Sequence, residues 1–266
     1  MNIKTKNDIK VLSEGGKILG QILSNLLKMS LAGVSTQTID QAAEEMILSA
    51  GGKPSFKNYK GRATDRPFPA TICSSLNHEI VHGIPNKQIK LKEGDIYTID
   101  IGMEWPVNKK QRGLFTDTAA TIAIGKVPKK TRQLLNVTAQ ALEEGINAIK
   151  PGVSVAEIGK AIEQYVKKQG KYGIIRDLSG HGVGYAVHED PWIANYYDRR
   201  LEGYILKQGM VIALEPMITL GGWEIATAKD GWTIVTADKS LCAHFEHTVV
   251  VTETGYQVLT RRPEEL

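Results

Sequence analysis

Apolar positions recur at helical spacing over residues 7–28, where Ile9, Leu12, Ile18, Leu19, Ile22, Leu23, Leu26 and Leu27 predict an amphipathic helix. A second helix is predicted over roughly 36–50, ending at Gly51-Gly52, and the stretch 53–69, with its Gly, Pro and Lys, reads as loop. Alternating runs at 95–103, 114–124, 210–218 and 244–252 predict strands. A third helix, about 130–149, follows Pro128 and stops at Pro151-Gly152. A fourth opens on Ser154-Val155-Ala156-Glu157, a capping-box pattern in which the Ser and Glu side chains satisfy orphan N–H groups, and closes at Gly170.

The second and fourth helices resemble each other. A shift of 119 positions pairs Gly33 with Gly152, Val34 with Val153, Ser35 with Ser154, Ile39 with Ile158, Ala42 with Ala161, Glu44 with Glu163 and Gly51 with Gly170. In each copy a long helix precedes and strands follow. Two capped amphipathic helices can look alike by chance; the alternative is a duplicated α+β unit with a cleft between its halves, a favoured place for ligands. Without a composition break or a Ser/Gly linker, the chain is read as one catalytic domain, 1–266, with halves of roughly 1–125 and 126–266.

Composition adds bounds. The chain has 266 residues, long enough to bury a core without metal or disulfide staples. A formal net charge of +4 is small for this length and argues for no specific nucleic acid. The two cysteines, Cys73 and Cys242, are far apart, which suits free thiols and a cytoplasmic setting. The start, Met1-Asn2-Ile3-Lys4-Thr5-Lys6, lacks a signal-peptide core. No apolar run approaches the ~20 residues that span a bilayer. No apolar interface signal stands out, so the expected state is a monomer.

The chemistry lies in acids placed among apolar neighbours. Period-2 alternation puts Asp100 on the strand face opposite Ile99 and Ile101. Glu215 ends the run Met210-Val211-Ile212-Ala213-Leu214, Glu246 precedes His247-Thr248-Val249-Val250-Val251, and Asp117 interrupts Phe115-Thr116-Asp117-Thr118-Ala119-Ala120. Taken singly, each could be a strand-end residue facing solvent. Together they are expected to be buried, and four buried carboxylates need protons, basic residues or cations to compensate them. Lys and Arg do not alternate with them. His181, in Ser179-Gly180-His181-Gly182-Val183-Gly184, adds an imidazole whose flanking glycines let the backbone pass close to whatever it meets. This glycine spacing lacks the strand and downstream acid of a dinucleotide loop. One imidazole among four carboxylates suits two divalent ions with a shared hydroxide, drawn from Co, Fe, Mn or Zn, rather than a closed structural zinc cage.

The order Asp100, Asp117, His181, Glu215, Glu246 resembles the five-ligand signature of the methionine aminopeptidases, in the short type I bacterial form. Local motifs agree: Asn77-His78-Glu79-Ile80-Val81-His82-Gly83-Ile84-Pro85, His188-Glu189-Asp190-Pro191, Leu214-Glu215-Pro216-Met217, Asp230-Gly231-Trp232-Thr233 and Phe245-Glu246-His247-Thr248. The resemblance implies the α+β pita-bread fold of the creatinase/aminopeptidase group: a pseudo-two-fold duplicated unit with a central antiparallel curved sheet and helices on its outer face. It implies removal of the initiator methionine from nascent polypeptides, by attack of a metal-bridging hydroxide on the first peptide bond, with transient ribosome association. Asp100 would chelate one ion, His181 and Glu215 would face the other, and Asp117 and Glu246 would bridge. His188 would hydrogen-bond the scissile carbonyl, His82 would contact the peptide nitrogen beyond it, and Glu215 is also a proton shuttle in the family. Phe68, Cys73, His82 and Trp232 would line the methionine pocket. His78, His244 and His247 match no ligand position and read as structural.

Departures from the family pattern fall on the longer segment between Asp100 and Asp117, the 57–67 loop, Leu178 and Val187. A register shift in the longer segment would turn Asp117 away from the ions. Two competing readings are an X-Pro aminopeptidase or prolidase on the same fold, which usually carries an extra N-terminal domain, and a non-catalytic module attached to ribosomes or RNA.

Overall fold

The apolar stripe over residues 7–28 folds as helix α1, Lys6–Met29, in a computed structural model that describes residues 2–61, 66–108 and 113–265. Its first turn is closed reciprocally: the Asp8 N–H donates to Thr5 Oγ1 and the Thr5 N–H to the Asp8 carboxylate, so donors with no helical partner are satisfied. Helices α2 (Thr36–Ser49), α3 (Lys129–Asn147) and α4 (Val155–Gln169) lie close to their expected bounds. The cap expected at Ser154 and Glu157 forms only by half. Ser154 Oγ accepts from the Ala156 N–H at 3.2 Å, but the Glu157 carboxylate turns to Lys160 Nζ at 2.9 Å. A lysine one turn away competes with the backbone for the same carboxylate.

The described strands form one nine-stranded antiparallel sheet and two three-stranded ones. In the large sheet Ile96–Trp105, Leu114–Ala123, Glu246–Val251, Val211–Leu214 and Gly180–Gly182 lie side by side in that order. One face of the sheet carries Ile99, Ile101, Leu214 and Val249, packed with Leu19, Leu23, Ile39, Leu142, Ile158 and Ile162 of the helices into the main core. Burial of so many aliphatic side chains, at roughly 1.5–3 kcal/mol each, drives the assembly of helices on that face. The alternate positions along the same strands point the other way, and there the acids stand.

The predicted strand 210–218 is corrected to two strands. Val211–Leu214 belongs to the large sheet, whereas Met217–Thr219 pairs with Cys242–His244 and Gly173–Ile174 in a second sheet. Proline at 216 has no N–H to continue a ladder, so the chain changes sheets there. It changes again at Phe245, between Cys242–His244 and Glu246–Val251. Glu215 and Glu246 therefore sit at the two crossing points.

The longer segment between the two aspartates leaves the register intact. Asp100 opposes Ala119 and Gly102 opposes Asp117, and pairing continues to Trp105 opposite Leu114. Lys109-Lys110-Gln111-Arg112 of that segment lie outside the described residues, as do residues 62–65 of the 57–67 loop. The base of that loop is clasped by two backbone bonds: the Asn58 N–H donates to Phe68 O at 2.8 Å and the Phe68 N–H to Tyr59 O at 2.9 Å.

The likeness of α2 and α4 recurs in the backbone around them. The Gly33 N–H donates to Leu91 O and the Leu91 N–H to Val34 O; the Gly152 N–H donates to Leu206 O and the Leu206 N–H to Val153 O. Each clasp leads through a left-handed glycine, Gly94 or Gly209, into a run that carries Asp100 or Glu215 nine residues beyond the clasped leucine. Among the described residues no helix is long and apolar enough to cross a membrane.

Candidate metal centre and substrate pocket

Four neighbouring strands carry Asp100, Asp117, His181 and Glu246, and Glu215 follows directly on a fifth, Val211–Leu214. Residues directly opposite across a ladder share a face. Asp100, Ala119 and Glu246 form one such row, Asp117 shares its face with Ala119, and His181 shares a row with Ala213 and Thr248. Glu215, two residues past Ala213 on the same strand path, completes the set. All five line a single cavity of about 820 Å³ and all are buried. One atom each from Asp117, His181 and Glu246 lie within 4.8 Å of one another, and His181 Nε2 is 3.6 Å from Glu215 Oε1.

Local chemistry holds these groups in place. Thr248 Oγ1 accepts from the Asp117 N–H and donates to the Asp117 carbonyl, locking two strands at the aspartate. Asn195 Nδ2 donates to the Glu215 carbonyl at the sheet crossing. His181 Nδ1 lies 2.9 Å from Gly182 O, which places the ring proton on Nδ1 and leaves the Nε2 lone pair facing the acids.

The flanking glycines serve a purpose other than the expected one. A Cβ on Gly180 would lie 2.3 Å from Ala213 O, and one on Gly182 would lie 2.5 Å from Asp190 O. It is neighbouring backbone, rather than a ligand, that needs the space. Gly180→Ala is expected to destabilise the fold by about 1–3 kcal/mol through overpacking and to weaken metal retention by displacing His181. Urea unfolding and elemental analysis of the variant check both.

Electrostatics inside the protein set the demand for cations. Burial, reinforced by neighbouring carboxylates at several positions, pushes Asp100 up to about 6 and Glu215 up to about 8, with Asp117 and Glu246 also well above the ordinary carboxylate range. Burial lowers His181 to about 3, so its imidazole is neutral. Asp100 Oδ1 and Glu246 Oε1 are buried without a hydrogen-bond partner among the described residues. Unpartnered carboxylate oxygens and a free imidazole lone pair, all converging on one cavity, are a donor set that fits divalent cations.

The remaining residues singled out in the sequence line the same cavity: Phe68, Cys73, His82, His188 and Trp232. Phe68 meets Trp232 edge-on with ring centroids 5.3 Å apart, and His82 meets the same indole at 6.0 Å. Burial and nearby Asp100 push the Cys73 thiol up, so it is a neutral wall and not a thiolate nucleophile. His188 follows a loop wrapped on the carboxylate of Glu189, which accepts from the Tyr185 and Ala186 N–H groups and from buried Lys4. Leu178 reaches the cavity, while Val187 is buried in the apolar cluster behind it with Phe56, Phe68 and Cys73.

Sequence reasoning missed Phe56, Tyr59 and Met217, which also line the cavity. The first two fall in a segment that read only as loop, and their single signal was aromatic character amid polar residues. His244 is buried with Nε2 3.5 Å from Glu215 Oε2. His247, from the opposite strand face, turns to Thr260 and Glu265 instead.

Comparison with known proteins places this geometry. Residues 10–253 match the model of "Metallopeptidase family M24". The chain is 41% identical to methionine aminopeptidase 1 of Bacillus subtilis (strain 168), over 97% of this chain and 98% of that protein. The crystal structure of methionine aminopeptidase from Rickettsia prowazekii superposes with a TM-score of 0.89 at 36% identity, covering 98% of this chain and 99% of that one. The prolidase structure from Pyrococcus horikoshii OT3 has a TM-score of 0.75 at 21% identity and shares the fold; this chain covers 65% of it.

Proposed function

Because this chain belongs to metallopeptidase family M24 and, within it, to the type I methionine aminopeptidases on the pita-bread fold, we propose that Asp100, Asp117, His181, Glu215 and Glu246 hold two divalent ions against the first peptide bond of its substrate. The enzyme removes the N-terminal methionine from new polypeptides. The observation that carries the site assignment is the convergence of four buried carboxylates and one neutral imidazole in a cavity walled by Phe68, Cys73 and Trp232.

The oxygen-rich donor set suits Co, Fe, Mn or Zn. When bound, such ions supply Lewis acidity that makes water nucleophilic near neutral pH and polarises a carbonyl. The chain's own groups do the rest. An apolar pocket of Phe68, Cys73, His82 and Trp232 takes the methionine side chain, since a thioether is favoured against aromatic walls. His188 donates to the scissile carbonyl oxygen, where negative charge grows as water adds to the carbon. Glu215 accepts a proton from that water and returns it to the departing nitrogen. His82 contacts the nitrogen of the next peptide unit and holds the chain in register.

Nascent chains are the substrate class, met transiently at the ribosome in the cytoplasm by a monomeric enzyme. A non-catalytic module has no use for so many uncompensated buried acids. The X-Pro alternative is separated by one assay. Metal-loaded protein is expected to release methionine from Met-Ala-Ser at least about a hundredfold faster than it cleaves an X-Pro dipeptide, a difference of about 2.7 kcal/mol in transition-state binding. Faster cleavage of the X-Pro peptide would overturn the assignment.

A further inference from the structure

The 57–67 loop departs from the family pattern, yet its clasped base delivers one side chain to the chemistry. Tyr59 Oη lies 2.7 Å from His188 Nδ1, and the two rings meet edge-on with centroids 5.1 Å apart. We propose that Tyr59 is a positioning residue: its hydroxyl donates to His188 Nδ1 and thereby holds the neutral ring as the tautomer that carries its proton on Nε2. The inference rests on the reading that His188 donates to the scissile carbonyl.

A neutral imidazole has one N–H and one lone pair. If the proton sat on Nδ1, Nε2 would present a lone pair to the carbonyl oxygen, and the two would repel. Nothing in the His188 ring itself decides between the tautomers; the partner on the other nitrogen does. His181 shows the same logic with opposite outcome. There a backbone carbonyl, which can only accept, faces Nδ1 and sends the proton to that nitrogen. Facing His188 Nδ1 is a phenol, a strong donor, whose pKa burial keeps above its ordinary value and which therefore retains its hydrogen. Among the described residues the Tyr59 hydroxyl has no other hydrogen-bond partner to take that hydrogen, and the His188 ring, packed edge-on against His181 with centroids 4.4 Å apart, has no other hydrogen-bond partner to choose its tautomer.

The loop geometry makes this donation specific to the fold. Asn58, just before Tyr59, is in the left-handed region at φ 68°, and the Tyr59 N–H and C=O are tied to Phe56 O and the Phe68 N–H. The same clasp that sets Phe68 against Trp232 in the methionine pocket thus sets the Tyr59 hydroxyl against His188.

The test uses metal-loaded enzyme and Met-Ala-Ser. Tyr59→Phe keeps the aromatic wall and removes only the hydroxyl. Its kcat is expected to fall about tenfold with KM nearly unchanged, as for loss of one hydrogen bond acting in the transition state. His188→Ala is expected to lower kcat about a hundredfold, and adding Tyr59→Phe to it should then have no further effect on kcat, because the hydroxyl acts only through the ring. In zinc-loaded, 15N-histidine-labelled enzyme, His188 should show a protonated Nε2 and an unprotonated Nδ1, with the preference weakened in Tyr59→Phe. A Tyr59→Phe enzyme within twofold of the parent, an equal fall in the His188→Ala background, or a protonated Nδ1 overturns the proposal while leaving His188 in place. An unchanged kcat in His188→Ala overturns the reading beneath it.

Discussion

Asp117→Ala enzyme, expressed folded and supplied with excess metal, is expected to hydrolyse Met-Ala-Ser at least about a thousandfold more slowly than the parent. Losing even an outer partner of a metal ligand commonly costs 10–100-fold, and Asp117 stands on the central strand of the acidic cluster. Its strand lies between those of Asp100 and Glu246, and its carboxylate shares a 4.8 Å cluster with His181 and Glu246. Removing it takes one negative charge from the cavity and one donor from the cluster with His181 and Glu246. The fold should survive, because the Thr248 hydroxyl bonds to the Asp117 backbone and not to its side chain. A crystal structure or a thermal melt checks that, and steady-state assays over a metal series check the loss. Activity within tenfold of the parent would show that the aspartate is not a ligand.

Chelated enzyme is expected to lose stability as pH rises from about 7.5 to 8.5, and metal-loaded enzyme is expected not to. The carboxyl groups of Glu215, Asp117 and Glu246 are raised in the folded state, so folding binds protons that the unfolded chain has released. Such a group contributes stability that is whole below its unfolded value and disappears as pH climbs through the folded one, about 8 for Glu215. The buried histidines oppose this at lower pH. His82, His181 and His244 are depressed to about 4, 3 and 4, so their contribution grows as pH rises toward the ordinary histidine value and is complete above it. At pH 6.5 the histidines of the unfolded chain are still about half protonated and oppose the carboxyl groups; above about pH 7.5 that opposition has largely gone and the carboxyl groups decide the sign. Urea midpoints at about pH 7.5, 8 and 8.5, with and without chelator, give the slope. A chelated protein more stable at about pH 8.5 than at 7.5 would mean that the acids are not confined as described.

What was legible in the sequence was whatever depends on residues near in sequence or on burial alone. The helical stripe at 7–28 and the strands bearing Asp100 and Asp117 follow from periodicity, because one face of each packs on a continuous apolar core. An acid in such a strand is conspicuous for the same reason that it is useful: only a compensated charge can stay there. What escaped depends on closure between distant segments. Gly180–Gly182 is only a three-residue strand, too short for any period, and its glycines make sense only once Ala213 O and Asp190 O are beside them. The run 210–218 looked continuous because both of its strands are apolar, and the change of sheet at Pro216 needs the second sheet to be seen. Glu157 matched a cap by spacing, yet Lys160 claimed its carboxylate. Tyr59 gave no periodic signal at all; its place at His188 is fixed by a clasp to Phe68, nine residues away across the loop.

The central claim is that cations reside among Asp100, Asp117, His181, Glu215 and Glu246 and that methionine release depends on them. Titration of chelated enzyme with Co or Mn, followed together by calorimetry and by Met-Ala-Ser cleavage, tests it most directly. The expected result is an inert starting protein whose activity appears as ions bind, with binding complete at about two per chain, the number that bridging carboxylates accommodate in two-metal sites. Full activity in the chelated protein, or binding unaltered by Asp117→Ala, would contradict it.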